Sequence, residues 1–144
     1  MISKTSQYAL RAILHLARQP EERRVRATDV AEDLGVPTNY LSKILHALAR
    51  TGLLVSERGP GGGFRLARRA EEITVADAIE PFEPLGTGRQ CLLGRPECLD
   101  TDACSVHTRW KEVSESMLDF FHETTVADLQ ESAPLESVTR LRER

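Results

Sequence analysis

All three cysteines of the chain lie close together in its second half, and a histidine follows the last of them. The residues are Cys91, Cys98, Cys104 and His107, in the pattern C-x6-C-x5-C-x2-H. Thiolates are soft ligands, and together with an imidazole they suit an iron–sulfur cluster or a zinc ion. Zinc fingers usually supply cysteines as C-x2-4-C pairs, so these longer gaps favour a loop around a larger inorganic core. A Cys3His zinc site is the alternative.

Other interpretations of these four residues have less support. An odd number of cysteines argues against a disulfide framework. A nucleophilic Cys–His pair needs a third group that orients the imidazole, and none can be recognised. We therefore expect neither an enzyme nor a small-molecule substrate. In the plainest interpretation the thiols are unrelated and His107 simply starts a helix.

A second set of residues has the spacing of a helix-turn-helix. If Ala27 is the first position, Ala31 falls where a small residue lets two helices approach, and Gly35 where the turn needs a positive φ. The inward positions are all apolar: Val30, Leu34, Val36, Leu41 and Ile44. The outward positions that open the second helix are polar: Thr38, Asn39, Ser42 and Lys43. Any helix has a polar outer face, so it is the turn pattern that makes these residues candidates for reading a major groove.

A glycine-rich segment follows, with the sequence Arg58-Gly59-Pro60-Gly61-Gly62-Gly63-Phe64 between two short apolar runs. It predicts a hairpin wing with Arg58 at its tip, suited to the negative potential of a narrow minor groove. Glycines such as Gly59 and Gly61 can expose backbone N–H groups to phosphate. A nucleotide-binding phosphate loop is excluded, because no Lys-Ser/Thr follows and the segment lies between strands.

The distribution of charge supports a nucleic-acid partner. The 144 residues are 40% hydrophobic, enough for one domain with a core, and carry a net charge of −3. Residues 1–70 hold 12 Lys and Arg against 6 Asp and Glu, whereas residues 71–144 hold 7 against 16. A mildly acidic total therefore conceals a basic half that contains the helix-turn-helix and the wing.

The start of the chain is amphipathic, and no stretch approaches the roughly 18 consecutive apolar residues of a membrane span. Arg11, His15 and Arg18 interrupt its apolar positions, which is unlike a signal peptide. We expect a cytoplasmic protein without a membrane partner.

The predicted fold is mostly α with a small β-hairpin: a winged helix-turn-helix plus a long dimerisation helix. Periodicity and caps predict helices near residues 5–18, 28–34, 38–51 and 105–122, strands near 53–57 and 64–66, and short helices after two Thr-Val-Ala-Asp capping boxes at 74–77 and 125–128. The predicted organisation is a DNA-binding domain (1–80), a cysteine-rich cluster-binding loop (81–104), the dimerisation helix (105–130) and a polar tail (131–144).

The long helix carries apolar residues at alternating spacings of four and three. They are Val106, Trp110, Val113 and Met117, followed by Phe120 and Phe121. Such a seam suits the equivalent helix of a second copy, which predicts a homodimer. The alternative is that this face packs only on its own domain.

Four segments together resemble a known family: YALRAILHLA, NYLSKILHALARTGLL, RGPGGGFRLA and the cysteine loop. Over about residues 2–129 the chain is similar to the Rrf-two family of bacterial winged-helix repressors, in particular its iron–sulfur cluster regulators and nitric-oxide-sensing repressors. The resemblance implies homodimers that bind palindromic promoter DNA, with an iron–sulfur cluster near the dimer interface that senses iron–sulfur status, redox state or nitric oxide.

The resemblance also implies a ligand set. Cys91, Cys98, Cys104 and His107 match the positions that hold a 2Fe–2S cluster, with one extra residue between the first two cysteines. Other members take a fourth ligand from an acidic residue near the partner's N-terminus, where this chain has Gln7, which favours His107. Ser42 replaces a glutamate that is tied to DNA selectivity in the family. A regulator with a structural zinc, or one that senses redox state through thiols alone, is the alternative function.

Overall fold

Helices dominate the part of the chain that this computed structural model describes, which is residues 2–86, 91–96 and 98–132. The helices are α1 (Lys4–Ala17), α2 (Ala27–Leu34), α3 (Thr38–Arg50), α4 (Val75–Ile79), α5 (His107–Glu123) and α6 (Val126–Ser132), and the strands are β1 (Leu54–Glu57) and β2 (Gly63–Leu66). Two 3-10 turns occupy Ala70–Glu72 and Asp100–Asp102. The predicted fold class is confirmed, and the predicted polar tail lies outside the described residues apart from its first two positions.

The core forms where α1 crosses α2 and α3. Ala9, Ala12, Ile13 and Leu16 make one stripe of α1 at helical spacing, and all four are buried. The two alanines let the backbones of neighbouring helices approach closely, and α3 contributes its own buried stripe of Leu41, Ile44, Leu45 and Leu48. Burial of these two stripes fixes the direction in which α3 presents its opposite face.

The predicted turn of the helix-turn-helix is confirmed at its glycine. Gly35 has φ +65°, and its N–H donates to the Glu32 carbonyl oxygen at 3.1 Å. The next N–H, from Val36, donates to the carbonyl oxygen of Ala31 at 2.9 Å. These bonds satisfy carbonyls at the end of α2 and let α3 start three residues later. The predicted inward residues are all buried.

A third segment anchors the wing. β1 and β2 pair antiparallel, with Leu54 opposite Leu66 and Glu57 opposite Gly63. Val25, which precedes α2, forms a bridge to Phe64, with N···O distances of 2.9 and 2.8 Å in the two directions. The hairpin is therefore bound to the entrance of the helix-turn-helix, so the wing and α3 are held in one orientation.

The two capping boxes are paired across the fold. Thr74 and Asp77 exchange hydrogen bonds of 3.0 and 3.1 Å, and Thr125 and Asp128 exchange bonds of 2.8 and 3.1 Å. Between the boxes, the Val75 N–H donates to the Thr124 carbonyl oxygen and the Val126 N–H donates to that of Ile73. Val126 is fully buried in the main core.

The bridge between the two boxes holds the chain after the long helix close to the start of α4. The long helix, predicted from residue 105 to about 122, begins at His107 and ends at Glu123. Beyond it, α6 folds back and packs against α1 and the first 3-10 turn. The segment after α5 therefore packs on the N-terminal part of the chain through Val126, whereas the predicted boundaries grouped residues up to 130 with the long helix.

Candidate functional site

The exposed face of α3 is the first candidate surface. Thr38, Asn39 and Lys43 are exposed and Ser42 is partly exposed, on the side of the helix opposite the buried leucines. Because α3 is held by its apolar stripe, these four side chains point away from the domain at fixed positions. This is the arrangement that lets the second helix of a helix-turn-helix present its N-terminal residues to base edges.

Two further residues of this face were missed by the sequence analysis. His46 and Arg50 are exposed and continue the row of Asn39, Ser42 and Lys43 at helical spacing. The His46 ring lies 5.1 Å from the Phe64 ring of β2, edge to face at 72°. His46 therefore connects α3 to the wing. Extending the outward pattern by one more turn would have identified both residues.

The tip of the wing is a backbone surface with one cation. Arg58, Gly59 and Gly61 are all exposed, and the two glycines have φ of +88° and +74°. The Gly62 N–H donates to the Gly59 carbonyl oxygen at 2.9 Å. A Cβ atom on Gly62 would stand 2.5 Å from the carbonyl oxygen of Glu57, so the turn has no room for a side chain there. The glycines are thus required by the shape of the tip.

The strand pair next to the tip of the wing is held by an ion pair. Arg24 reaches Glu57, the last residue of β1, with an N···O distance of 2.6 Å. Arg24 precedes Val25, which forms the bridge to Phe64, so the two contacts act on the same stretch of backbone. The wing therefore combines anchored strands with an exposed tip.

Residues 91–104, which carry the three cysteines, are called the cysteine segment. A chain of polar contacts links this segment to the start of α5 through a carboxylate. The Cys98 Sγ lies 3.3 Å from His107 Nδ1, and His107 Nε2 lies 2.7 Å from Asp100 Oδ1. The imidazole is only 5% exposed. Asp100 also approaches Lys111 Nζ at 3.3 Å. The sequence analysis assigned no role to Asp100, and its position between two candidate ligands was the available signal.

The other two thiols are those of Cys91 and Cys104. Cys91 is free and partly buried. Its pKa is lowered, first by hydrogen bonds from the backbone N–H groups of Arg95 and Leu93. Cys104 is also free and partly buried, and its carbonyl oxygen accepts the N–H of His107 at 3.0 Å.

The donor set has the chemistry that an iron–sulfur cluster or zinc requires. Within the described residues, no three His, Cys, Asp or Glu side chains converge at metal-binding distance. The structure brings Cys98 together with His107. Three free thiols and a buried imidazole match the ligand types of both metals, and a carboxylate on the second ring nitrogen is the usual partner of a ligating histidine. These residues therefore fit an iron–sulfur cluster or a zinc ion.

The predicted dimer residues separate onto two faces of α5. Val113 and Phe120 are 61% and 53% exposed, Met117 is also exposed, and Val106 and Trp110 are partly buried. Phe121 is only 9% exposed, because its ring packs on Val75, Ala76 and Ile79 in its own chain. Phe121 was expected at the dimer seam, and this burial removes it from that surface.

The cysteine segment adds exposed apolar side chains that the sequence analysis did not single out. They are Leu92, Leu93 and Leu99, each at least half exposed.

None of the helices within the described ranges is long and apolar enough to cross a membrane.

Comparison with known proteins agrees with this arrangement. The Rrf2 family profile, described as an iron-dependent transcriptional regulator, matches residues 2–132. A protein of Aquifex aeolicus assigned as an HTH-type transcriptional regulator is 36% identical over 131 residues, which are 90% of each chain. The HTH-type transcriptional regulator IscR of Pectobacterium atrosepticum is 33% identical over 128 residues, covering 89% of this chain and 77% of that protein.

Solved structures share the fold. IscR of T. potens superposes with a TM-score of 0.74 at 27% identity, covering 100% of this chain and 93% of that one. CymR, the global cysteine regulator of B. subtilis, gives a TM-score of 0.78 at 24% identity, covering 93% and 98% of the two chains. These relatives are transcriptional regulators and not enzymes, as the sequence predicted. The chain is a DNA-binding transcriptional regulator of the Rrf2 family.

Proposed function

We propose that the chain is a homodimeric repressor of palindromic promoters whose DNA affinity is controlled by an iron–sulfur cluster, a 2Fe–2S centre. Its ligands are Cys91, Cys98, Cys104 and His107. The observation that carries the proposal is the buried imidazole of His107, with one nitrogen on the Cys98 thiol and the other on a carboxylate. The related IscR proteins support the choice of a cluster.

The DNA half of the proposal rests on two surfaces held in one orientation. Thr38, Asn39, Ser42 and Lys43 contact base edges and phosphates, and Arg58 with Gly59 and Gly61 follows the backbone into the minor groove. Two such units related by a two-fold axis read half-sites about one turn of DNA apart, roughly 34–36 Å. A palindrome is the operator that matches this symmetry.

The dimer half rests on α5. Val113, Met117 and Phe120 form an exposed apolar stripe on a helix whose adjacent face, which carries Phe121, is already buried in its own chain. A stripe of large apolar residues at spacings of four and three suits an equivalent helix. We infer that the stripe is covered by α5 of a second copy, with Val106 and Trp110 extending it toward the cysteine segment.

The proposed control of DNA binding depends on where His107 stands in the chain. It is the first residue of α5, so a change in the position of the ligands acts on the helix that forms the dimer. When bound, the cluster supplies a centre that changes with electron transfer, oxidant or nitric oxide. Regulation then requires only that α5 sets a different spacing of the two recognition helices in each state, which gives two DNA affinities.

Anaerobic purification followed by iron and sulfide analysis tests this function. We expect equal amounts of iron and sulfide, visible absorption, and an affinity for promoter fragments that changes when the cluster is removed. Cys98→Ala should abolish both the absorption and the change in affinity. His122→Ala, which alters an exposed histidine at the other end of α5, is the matched control and should behave as the wild type.

The alternatives give different results in the same preparation. If the purified protein is colourless, holds one zinc ion and does not respond to oxidant, the site is a structural zinc site and not a cluster site. If Cys98→Ala changed neither the absorption nor the promoter affinity, the cluster mechanism would be wrong.

A thiol-based regulator is the second candidate, because all three cysteines are free and the Cys98 side chain is among the groups that lower the pKa of the Cys91 thiol. A solved structural relative at 25% identity, CymR of Staphylococcus aureus, was crystallised in an oxidised form. In this mode the two thiols lose two protons and two electrons to form a disulfide, and peroxide accepts both and becomes water. Mass spectrometry of metal-free protein after peroxide treatment would show a Cys91–Cys98 linkage and a parallel change in DNA affinity.

A further inference from the structure

Asp100 occupies a distinctive place in the cysteine segment. It opens the 3-10 turn Asp100–Asp102, between the second and third cysteines. From this exposed turn its carboxylate reaches inward to His107 Nε2 at 2.7 Å, and the same oxygen lies 3.3 Å from Lys111 Nζ. His107 and Lys111 are one helical turn apart on α5. Asp100 therefore connects the segment that carries the thiols to the first two turns of the helix.

The contact with Asp100 determines which nitrogen of the neutral imidazole carries the hydrogen. An ionised carboxylate only accepts hydrogen bonds, so Nε2 must be the nitrogen that donates. Nδ1 is then left with its lone pair, and Nδ1 is the atom that faces Cys98 Sγ at 3.3 Å. The carboxylate thus selects the tautomer in which the available lone pair points at a thiol and not at solvent.

The geometry also restricts rotation of the ring. His107 is buried, and its backbone N–H donates to the Cys104 carbonyl oxygen. On the ring, Nε2 is held by Asp100. A 180° flip about Cβ–Cγ would exchange Nδ1 with Cδ2 and Nε2 with Cε1, so ring carbons would face Cys98 and Asp100 and both contacts would be lost. Keeping the carboxylate in place avoids that exchange without any contribution from a bound metal.

We propose that Asp100 is a positioning residue that orients His107 as a ligand through Nδ1, and this inference rests on the proposed cluster-binding function. Carboxylates that hold a ligating histidine in this way make the ring a stronger donor, and their removal typically weakens metal binding by 10- to 100-fold. A stronger donor favours the oxidised form of the centre. Asp100 therefore also lowers the reduction potential of the bound cluster.

The first test uses metal-free protein, so it does not depend on the cluster. Long-range 1H–15N correlation spectra, recorded where the imidazole is neutral, report the tautomer of His107. The wild type should show the hydrogen on Nε2. Asp100→Ala should give a mixture of tautomers, and Asp100→Asn should restore Nε2–H in part, because the amide oxygen still accepts. Asp102→Ala is the matched control, since Asp102 lies in the same turn but pairs with Arg95 at 2.9 Å.

The second test uses reconstituted protein. Relative to the wild type, Asp100→Ala should lose iron to a chelator at about 10- to 100-fold lower chelator concentration and show a raised reduction potential. Its visible spectrum should also shift, while Asp102→Ala stays unchanged. Asp100 is exposed, so these variants are expected to fold, which far-ultraviolet circular dichroism will verify.

Failure of this inference differs from failure of the proposed function. If Asp100→Ala keeps the Nε2–H tautomer and retains the wild-type potential and iron, Asp100 has no positioning role, although the cluster itself stands. If the wild type takes up no iron and sulfide under anaerobic conditions, the proposed function is wrong and the ligand role of His107 is overturned with it.

Discussion

Single glycines hold the wing in shape at two positions where a Cβ atom has no room. Gly62 faces the carbonyl oxygen of Glu57 at the tip, and Gly63, the first residue of β2, faces that of Val25. Gly63 also has φ +141°, a conformation that other residues rarely adopt. The shape of the candidate DNA-binding surface therefore depends on the absence of a side chain at these positions.

Gly63→Ala should destabilise the domain. The added Cβ would lie 2.5 Å from the Val25 carbonyl oxygen, so the bridge between Val25 and Phe64 must open. We expect a loss of on the order of 1–3 kcal/mol in the free energy of unfolding, measured by urea titration. Gly61→Asn is the control, because Gly61 has φ +74° with open space around it and asparagine tolerates that region. Equal midpoints for both variants would contradict the expectation.

Two residues of α3 should contribute differently to DNA binding. Asn39→Ala should cost about 1–3 kcal/mol at a matched operator and relax selectivity at one base pair, because an amide reads base edges. Lys43→Met should weaken binding to all sequences alike and reduce the salt slope by about one, because a cation that neutralises phosphate releases counterions. Fluorescence anisotropy over a series of salt concentrations separates the two effects. The same loss for specific and random DNA in Asn39→Ala would exclude base readout by this residue.

At the scale of secondary-structure elements, ends of helices are tied to distant parts of the chain. The N-terminus of α1 is capped locally by Ser3, whose side chain accepts the Ser6 N–H. The Ser3 N–H in turn donates to Glu83 Oε1 at 2.6 Å, and Glu83 follows α4. Hydrogen bonds from Ser6 and Ser3 lower the pKa of Glu83, that from Ser6 most strongly. This carboxylate therefore holds α1 against the segment that leads into the cysteine loop.

Glu83→Gln should lower the melting temperature at neutral pH. A carboxyl whose pKa is lowered on folding stabilises the folded state above its unfolded pKa of about 4.5, and that contribution is lost as the pH falls through the lowered value. The difference between variant and wild type should therefore shrink below about pH 4. Circular dichroism melts over a pH series, with Glu80→Gln as an exposed control, measure this. A difference that does not depend on pH would show that the charge of Glu83 is irrelevant.

At the scale of the whole molecule, α5 has two adjacent faces in different surroundings. One face packs on α4 through Phe121, and the other exposes Val113, Met117 and Phe120. Successive residues of a helix are rotated by about 100°, which is why adjacent phenylalanines meet different surroundings. The same helix begins at His107, so the proposed cluster site, the proposed dimer surface and the domain core meet on one element.

The two neighbouring phenylalanines should therefore respond differently to truncation. Phe121→Ala removes a buried ring and should cost about 3–5 kcal/mol of folding stability. Phe120→Ala should leave the monomer fold intact and weaken dimerisation, shifting the mass measured by sedimentation velocity toward the monomer at low concentration. Each variant is the control for the other. If Phe120→Ala lowered the free energy of unfolding as much as Phe121→Ala and left dimerisation unchanged, Phe120 would belong to the core instead.

The helix-turn-helix was predictable because its determinants are local. Ala31, Gly35 and the apolar positions around them specify helical periods and one left-handed turn, and all of these depend on neighbours within a few residues. The capping boxes at Thr74 and Thr125 were predictable for the same reason. Their pairing was not, because Thr74 and Thr125 form a bridge only when residues about fifty positions apart come together.

From the sequence alone came the candidate ligands, the candidate DNA-binding surface and the elements that carry them, since composition and periodicity are properties of the chain itself. Only the tertiary structure decided that α6 returns to the core, that Phe121 faces inward while Phe120 does not, and that Asp100 reaches His107. Each of these depends on which surfaces are buried against each other, and burial is a property of the assembled fold that no local pattern contains.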